Sequence, residues 1–473
     1  MRLSSRFRLL LVSSLPLVPS IASATNAANP PLEKLPLERA VLSSEGSGRA
    51  TAYTEQTKII TFGTKTHVVW LDAIEAGFRV RGRTLDRSTG LWSDVVTIGE
   101  AQDNHGGPSL TVDRGGFLHV VYYPHHQRIR YRQSLRPNDL SAWGPEIQFG
   151  EGLSYPSILC APDDTLYLTA RRGFFNDEGK YLDTHHLEHE LWVKRPGADW
   201  VRRSVLLRGR YPRYAQFATS LAWGPDGKTI HVSGRIYESN IDPKGKPRYT
   251  MAYLTSPDRG ETWTTADGAR IELPATAETV DVLATDGGPL GVQLNSGPLA
   301  VDTAGLPHVL YTAKLNDKSR LYLATPAPGL GWTRRDLSPW LPESVRTWEV
   351  NLGMGGGMSF SDSGRATIVA VVLNPPADEV GTAKEWGHPT TEVVRLWSDD
   401  GLKTFQAEVL APTDTSEPHW LVNIERATGH NRVPHEPGIL FTGGIPGGGL
   451  KDLMLGNRVY WHPTRSPTAG VTR

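Results

Sequence analysis

A hairpin grammar repeated from one end of the chain to the other constrains the fold more than any other feature. Short apolar runs come in pairs joined by tight Asp- and Gly-rich turns. Residues 109–112 and 117–122 flank Asp113-Arg114-Gly115-Gly116, and further pairs surround Asp163-Asp164, Pro225-Asp226-Gly227, Asp302 to Gly305, Asp362-Ser363-Gly364 and Gly63-Thr64. Such turns supply the positive φ and the side-chain acceptors that a tight reversal between twisted strands needs. A third strand and an aromatic turn usually follow. In the run from Met251 to Trp263, the residues Ser256, Asp258, Gly260, Thr262 and Trp263 fit the Asp-box pattern, and Ser398, Asp400, Thr404 and Phe405 make a looser copy. Repeats of this length, each a small antiparallel sheet, are the signature of a β-propeller.

Six blades are expected near residues 56–99, 105–150, 155–208, 216–274, 293–338 and 351–410. A seventh is expected from 438–442 and 457–461, completed by a strand within 36–53. Pairing strands from both termini removes the open edge that would otherwise invite association. The prediction is an all-β, seven-bladed β-propeller over 49–465, with an N-terminal extension at 25–48 and a tail at 466–473. The 48 Gly and 35 Pro are spread along the chain, as many turns require, rather than gathered in a linker. A formal net charge of zero gives no footprint for nucleic acid.

Residues 1–24 read as a signal peptide. Arg2, Arg6 and Arg8 form the basic region, residues 9–18 the apolar stretch, and Ala22-Ser23-Ala24 the cleavage site. The mature protein is expected to be exported to the periplasm or secreted, to lack a membrane anchor once the signal is cut, and to act as a monomer. Cys160 is the only cysteine, which excludes an internal disulfide, and its apolar setting reads as core.

In a propeller, residues just before each innermost strand and just after its partner gather at one mouth of the central channel. Here those are Gln56 with Asp72, His105 with His125 and His126, Tyr155 with Arg171 and Arg172, Gln216 with Arg235, Asn295 with Lys314, Asn351 with Asn374, and His435 with Glu436. A polar, cation-rich mouth suits an acidic, hydroxyl-rich ligand such as a uronic-acid glycan. His119 and His231 lie within strands and read as structural. His185, His186 and His189 read as a solvated loop, and Asp258 and Asp400 as ties of their own turns.

The segments Asn104 to Pro108, Tyr122 to His126, Arg130 to Arg132 and Tyr155-Pro156 resemble the propeller family with neuraminidase-type repeats that contains polysaccharide lyases. In that family ulvan lyases use two histidines about twenty residues apart, then a tyrosine and an arginine about sixteen apart; His105 and His125, then Tyr155 and Arg171, keep those spacings. The wording around Ser134 to Asp139 and Glu146 to Gly150 resembles more closely the branch acting on L-rhamnose-α-1,4-D-glucuronate, which trims the rhamnose caps of arabinogalactan side chains. Both lyase and α-L-rhamnosidase activity belong to that branch. The rhamnosidase reading places a catalytic histidine near the start of the first blade, where this chain has Gln56. The resemblance also implies a structural Ca2+ near the channel, although no compact Asp-rich loop is present. No organic cofactor is expected.

Eliminating an O4 substituent from a glucuronate requires removal of the weakly acidic C5 proton, so the carboxylate must be paired with cations or strong donors. The expected site has His105, His125, His126 and Tyr155 in acid and base roles, with their division left open. Arg171, Arg172, Tyr211, Arg213, Gln56, Asn295, Lys314, Asn351 and His435 are expected to bind an acidic, rhamnose-capped plant-type glycan. The alternatives are an exo-α-L-rhamnosidase, an ulvan lyase, and a glycan-binding propeller without catalysis.

Overall fold

The computed structural model describes residues 33–34, 40–53, 55–239, 245, 247–285, 294–315, 318–375, 387–411, 413–447 and 455–462. Residues 1–24, expected to be a signal peptide, and 466–473, expected to be a tail, lie outside them.

The described chain is all-β apart from three single-turn 3-10 helices. Its strands form antiparallel sheets that follow one another in chain order, and none of its helices is long and apolar enough to cross a membrane. Three sheets are simple: Ala215–Trp223 through Asp281–Thr285, Leu294–Val301 through Gly331–Asp336, and Glu349–Val350 through Gln406–Val409. Two are compound. Ile147–Cys160 pairs with His125–Gln133 along its first half and with Leu166–Arg172 along its second, joining two four-stranded units through one long strand. Ala40–Gly46 pairs with Asn457–His462 and, at Gly46, with Asp72 in Lys65–Ile74. Strands near both ends of the described chain are therefore stitched into one sheet, and the strand at 40–46 falls in the span expected to be an extension.

The innermost strands touch in ring order. Ile59–Phe62 meets Ser109–Val112, which meets Ile147–Cys160; contacts continue through Ala215–Trp223, Leu294–Val301 and Gly356–Phe360 to His419–Ile424. Asn423 Nδ2 then donates to Gln56 O at 3.0 Å, and Glu425 accepts from Thr61, returning to the first unit. The core lies between successive sheets rather than at one centre. One cluster joins Leu159, Leu191 and Leu207 to Phe217, Leu254 and Trp263; another joins Leu310 and Leu323 to Ile368 and Leu396. Strands inside such a stack are covered on both faces, which explains why Val68, Val69, Trp70 and Leu71 are all buried in succession.

The Asp-box carboxylates tie their own turns, as expected. Asp258 accepts from the backbone N–H groups of Glu261 and Thr262, and Asp400 from those of Lys403 and Thr404. His119 and His231 are buried and bonded to Tyr131 and Tyr253. His189 departs from its solvated-loop reading. It sits in the strand Glu188–Lys194, fully buried against Phe217, with Nε2 2.6 Å from Thr219 Oγ1.

Candidate functional site

Two backbone irregularities build the site. In a regular strand successive side chains point to opposite faces, so His125 and His126 would be separated by the sheet. The ladder between His125–Gln133 and Ile147–Cys160 slips between His125 and Gln127, and His126 has φ 68°. The bulge brings both rings to one side, with centroids 4.1 Å apart. A second slip, between Ser154 and Ser157, places Tyr155 at φ 56° and turns its ring toward the same spot. Left-handed backbone at a bulky residue is costly and tends to persist where function requires it.

His105 arrives from the loop before Ser109–Val112. Its ring stacks on His125 at 3.8 Å, and both lie near Tyr155, at 6.2 and 6.4 Å. Asp103 holds the pair together. Its Oδ1 accepts from the His105 backbone N–H at 2.7 Å and faces His105 Nδ1 at 3.1 Å, while Oδ2 faces His125 Nδ1 at 2.6 Å. An ionised carboxylate is acceptor-only, so both Nδ1 atoms carry protons, and a neutral ring held in this way presents its lone pair at Nε2. Burial works to raise the Asp103 carboxyl, but the hydrogen bonds from His105 and His125 outweigh it and hold the group well below the usual range. Burial also lowers His105, assisted by the charge of Arg49, against the pull of Asp103. His105 is therefore a neutral imidazole near pH 7, as a base must be.

His126 has a different setting. Its Nδ1 lies 3.2 Å from Arg171 Nη2 and 3.2 Å from Ser154 Oγ, and its Nε2 lies 3.2 Å from Tyr181 OH. Burial and the Arg171 charge push it down to about 3, which keeps it neutral and unsuited to donating a proton as imidazolium. Arg171 is fully buried behind this group. It donates to Tyr214 OH at 3.1 Å and lies over the Tyr155 ring at 4.9 Å, and no carboxylate pairs with it among the described residues. A buried, carboxylate-free guanidinium is expensive and needs a purpose. Here it sits behind Tyr155, whose phenol burial pushes up to about 12 against the opposing charge of Arg171. Tyr155 is therefore protonated and able to donate.

A chain of rings extends from this point: Tyr181 to Tyr214 at 5.6 Å, Tyr214 to Tyr237 at 6.0 Å, and Tyr237 to Tyr249 at 5.1 Å. Arg235 lies over Tyr249 and donates to Gln216 Oε1 at 2.7 Å and Asn295 Oδ1 at 2.6 Å; Asn295 Nδ2 in turn donates to Asn351 at 3.2 Å. Asn295 and Asn351 are thus connected to the histidines through this belt.

Other expected site residues stand elsewhere. Arg172 points to the opposite face of its strand, over Phe174 and 3.8 Å from Glu190. Tyr211 is exposed on the rim; the tyrosine that enters the site is Tyr214, and Arg213 lies exposed between them. Gln56 is fully buried beneath the site, accepting from Lys58 Nζ and Tyr53 N. Lys314, half-buried, lies two residues beyond Thr312, the partner of Asn295. His435 is at the other end of the channel, 2.9 Å from Ser363 Oγ in the turn that closes the far end of its hairpin, with Glu436 paired to Arg365 and Arg395. Asp72 is tied to Ser43, Trp70 and Arg81.

Sequence reasoning missed Asp103, Tyr181, Tyr214, Arg49 and Tyr53. Arg49 is half-buried and donates to Tyr53 OH at 2.6 Å, and the Tyr53 ring lies parallel to His105 at 6.3 Å. The Asp-x-His spacing at 103 and 105 was the one readable signal among these. Two clusters of metal-ligating side chains occur among the described residues, Asp103 with His105 and His125, and Cys160 with Asp164 and His430. Each offers a single carboxylate, whereas calcium takes six to eight oxygens, so neither fits the expected Ca2+.

Residues 46–340 match the BNR repeat-containing family, and the chain belongs to that family. It is 22% identical over 272 residues to the ulvan lyase PL25 of Pseudoalteromonas sp. (strain PLSV), covering 49% of this chain and 53% of the relative. It is 21% identical over 312 residues to the ulvan lyase of Nonlabens ulvanivorans, covering 60% and 62%. The match thus spans little more than half of each curated relative. A solved PL25 ulvan lyase superposes with a TM-score of 0.66 at 15% identity, over 89% of this chain and 94% of that one, and is also known bound to -[GlcA(1-4)Rha3S]-. The polysaccharide lyase Uly1 gives a TM-score of 0.56 at 13% identity, over 92% and 100%. These likenesses establish a shared propeller-like fold. The relatives are ulvan lyases, the branch given from sequence as the more distant resemblance.

Proposed function

We propose that the protein is a polysaccharide lyase that eliminates the O4 substituent from glucuronate in a polymer of rhamnose and glucuronate, with an ulvan-type backbone as the substrate that fits best. The observation that carries this reading is the pair of imidazoles fixed by Asp103 beside a protonated Tyr155. In the proposed reaction Nε2 of His105 or His125 takes the C5 proton. The electron pair of that C–H bond forms the C4–C5 double bond, the C4–O4 bond breaks, and Tyr155 gives its proton to the leaving oxygen. Arg171, being buried, acts through Tyr155 and His126; the half-buried Arg49 and the exposed Arg213 are the cations proposed for the glucuronate carboxylate. The likeness to ulvan lyases supports this choice over rhamnose-capped arabinogalactan, the glycan first expected.

A glycoside hydrolase would need two carboxylic acids flanking the bond, roughly 5 to 9.5 Å apart. Among the described residues the carboxylate that joins the histidine cluster is Asp103, and both of its oxygens are engaged by imidazoles. We further infer seven blades, supported by the seven innermost strands in contact order, and export through the N-terminal leader. Incubation with ulvan, with gum-arabic arabinogalactan and with a uronate-free polymer tests the function. Ultraviolet absorbance of an unsaturated uronate is expected to rise with ulvan. A rise with arabinogalactan alone restores the rhamnose-cap reading, and reducing sugar without absorbance overturns the lyase.

A further inference from the structure

Beneath the loop that carries His105 lies Lys58, fully buried immediately before the first innermost strand, Ile59–Phe62. Its Nζ donates to Pro108 O at 2.9 Å and to Gln56 Oε1 at 3.2 Å, and no carboxylate lies within ion-pair distance among the described residues. Burial pushes the ammonium down to about 7; the charge of Glu55 opposes this and that of Arg426 adds to it. A lysine held between two neutral acceptors contributes little to the fold that a methionine of similar length could not, because desolvating the charge costs more than two such bonds return.

The two acceptors are the shoulders of His105. Pro108 ends the loop from Asn104, so the bond to its carbonyl fixes one side. Gln56 Oε1 also accepts from the backbone N–H of Tyr53 at 3.3 Å, and the Tyr53 ring lies parallel to His105 and edge-on to Tyr155 at 4.9 Å. The loop rests directly on this pair. A Cβ at Gly107 would stand 2.9 Å from Ala52 O and 3.1 Å from Gln56 Oε1, and one at Gly106 would stand 2.7 Å from Tyr123 O. Two glycines therefore let the backbone settle where Lys58 can hold it.

We propose that Lys58 is a positioning residue for the His105, Asp103 and His125 group: its ammonium clamps the 104–108 loop and the Tyr53 turn together and so sets the place and orientation of the His105 ring. The catalytic consequence rests on the lyase reading above; the positional one does not. The test uses the full chain with 15N-labelled histidine, comparing wild type, Lys58→Met and Lys58→Gln, with the His105 imidazole signals assigned through His105→Gln. In Lys58→Met the His105 ring signals are expected to move while those of His119 and His231 stay. The thermal midpoint should hold or rise, since a buried charge is gone. On the wild type's substrate, kcat should fall about 10- to 100-fold, the scale of a misplacement near 1 Å, with KM changed less than about threefold. Lys58→Gln keeps an NH2 donor group without the charge and should give a smaller shift, and it decides the matter if the methionine variant does not fold. Unmoved His105 signals in a folded variant overturn the proposal, as does a loss of activity that only tracks a lowered midpoint. If wild type cleaves none of the polymers, the functional reading fails, and the ring signals still decide whether Lys58 positions His105.

Discussion

Replacing Asp103 by Asn isolates what the carboxylate does for the two histidines, because the change keeps the shape and removes one acceptor. Asp103 accepts two bonds at Oδ1, both from His105, and one at Oδ2, from His125. An asparagine keeps both His105 bonds if its carbonyl takes the Oδ1 place. Its NH2 group must then face His125 Nδ1, where two donors would meet. The repulsion is relieved when His125 moves its proton to Nε2 and accepts at Nδ1, which removes the Nε2 lone pair from the reacting side. A positioned base is worth about 10²- to 10⁴-fold in rate, or about 2.7 to 5.5 kcal/mol. If His125 is the base, Asp103→Asn should lower kcat by that amount with KM little changed. If His105 is the base, the loss should stay within about tenfold, since its bonds survive. Initial rates followed by ultraviolet absorbance, with 15N signals reporting the tautomer, separate the two cases. A variant with the His125 tautomer switched, the His105 ring displaced, and kcat within a factor of about two of wild type would refute a base role for either histidine.

Further outcomes follow from the same geometry. Tyr155→Phe removes the proton donor and should cost about 10²- to 10⁴-fold in kcat at an unchanged thermal midpoint; a drop below tenfold would move the acid role elsewhere. His435→Ala should leave kcat/KM unchanged, because His435 bonds Ser363 at the far end of the channel, whereas a substantial loss would place the substrate there. Stability should fall on acidification. His67 and His231 are held down to about 4, and His126 and His189 to about 3, chiefly by burial. The unfolded chain takes up these protons below about pH 6.5, so the stability they confer is present above that pH and is lost as pH falls toward 3 or 4. Glu425, raised by burial to about 7, and Asp72, raised to about 6, work in the opposite sense. Histidines held down, His105 and His308 among them, outnumber carboxyls held up, so the unfolded chain binds more protons below pH 6 and the urea midpoint should fall; a midpoint flat from pH 6 to 5 would contradict this.

The fold was legible because its signals are local. A turn such as Asp113 to Gly116 announces its hairpin within a dozen residues, and the inward polarity of each innermost strand then puts His105, Tyr155, Asn295 and Asn351 at corresponding ends. The spacing of His105 with His125 and of Tyr155 with Arg171 survived in the sequence for the same reason. Parity did not. Whether Tyr155 turns toward the site depends on the slip between Ser154 and Ser157, and the convergence of His125 with His126 depends on another. Neither bulge has a sequence mark. Tyr181 comes from the excursion between Leu166–Arg172 and Glu188–Lys194, which follows no repeat, and reaches His126 only through tertiary folding. His435 was misplaced because the segment after Ile424 does not begin a new strand there; His430 donates its backbone N–H to Val112 O and His435 meets Ser363, both at the far end.

Carrying out ulvan cleavage in water labelled with oxygen-18 tests the central claim most directly, since elimination draws its electrons from the C5–H bond and takes no oxygen from solvent. The account predicts that ultraviolet absorbance rises with every bond cleaved, and that newly formed ends carry no oxygen-18 before anomeric exchange. Oxygen-18 appearing at once at the new reducing ends, with no absorbance of an unsaturated uronate, would contradict it.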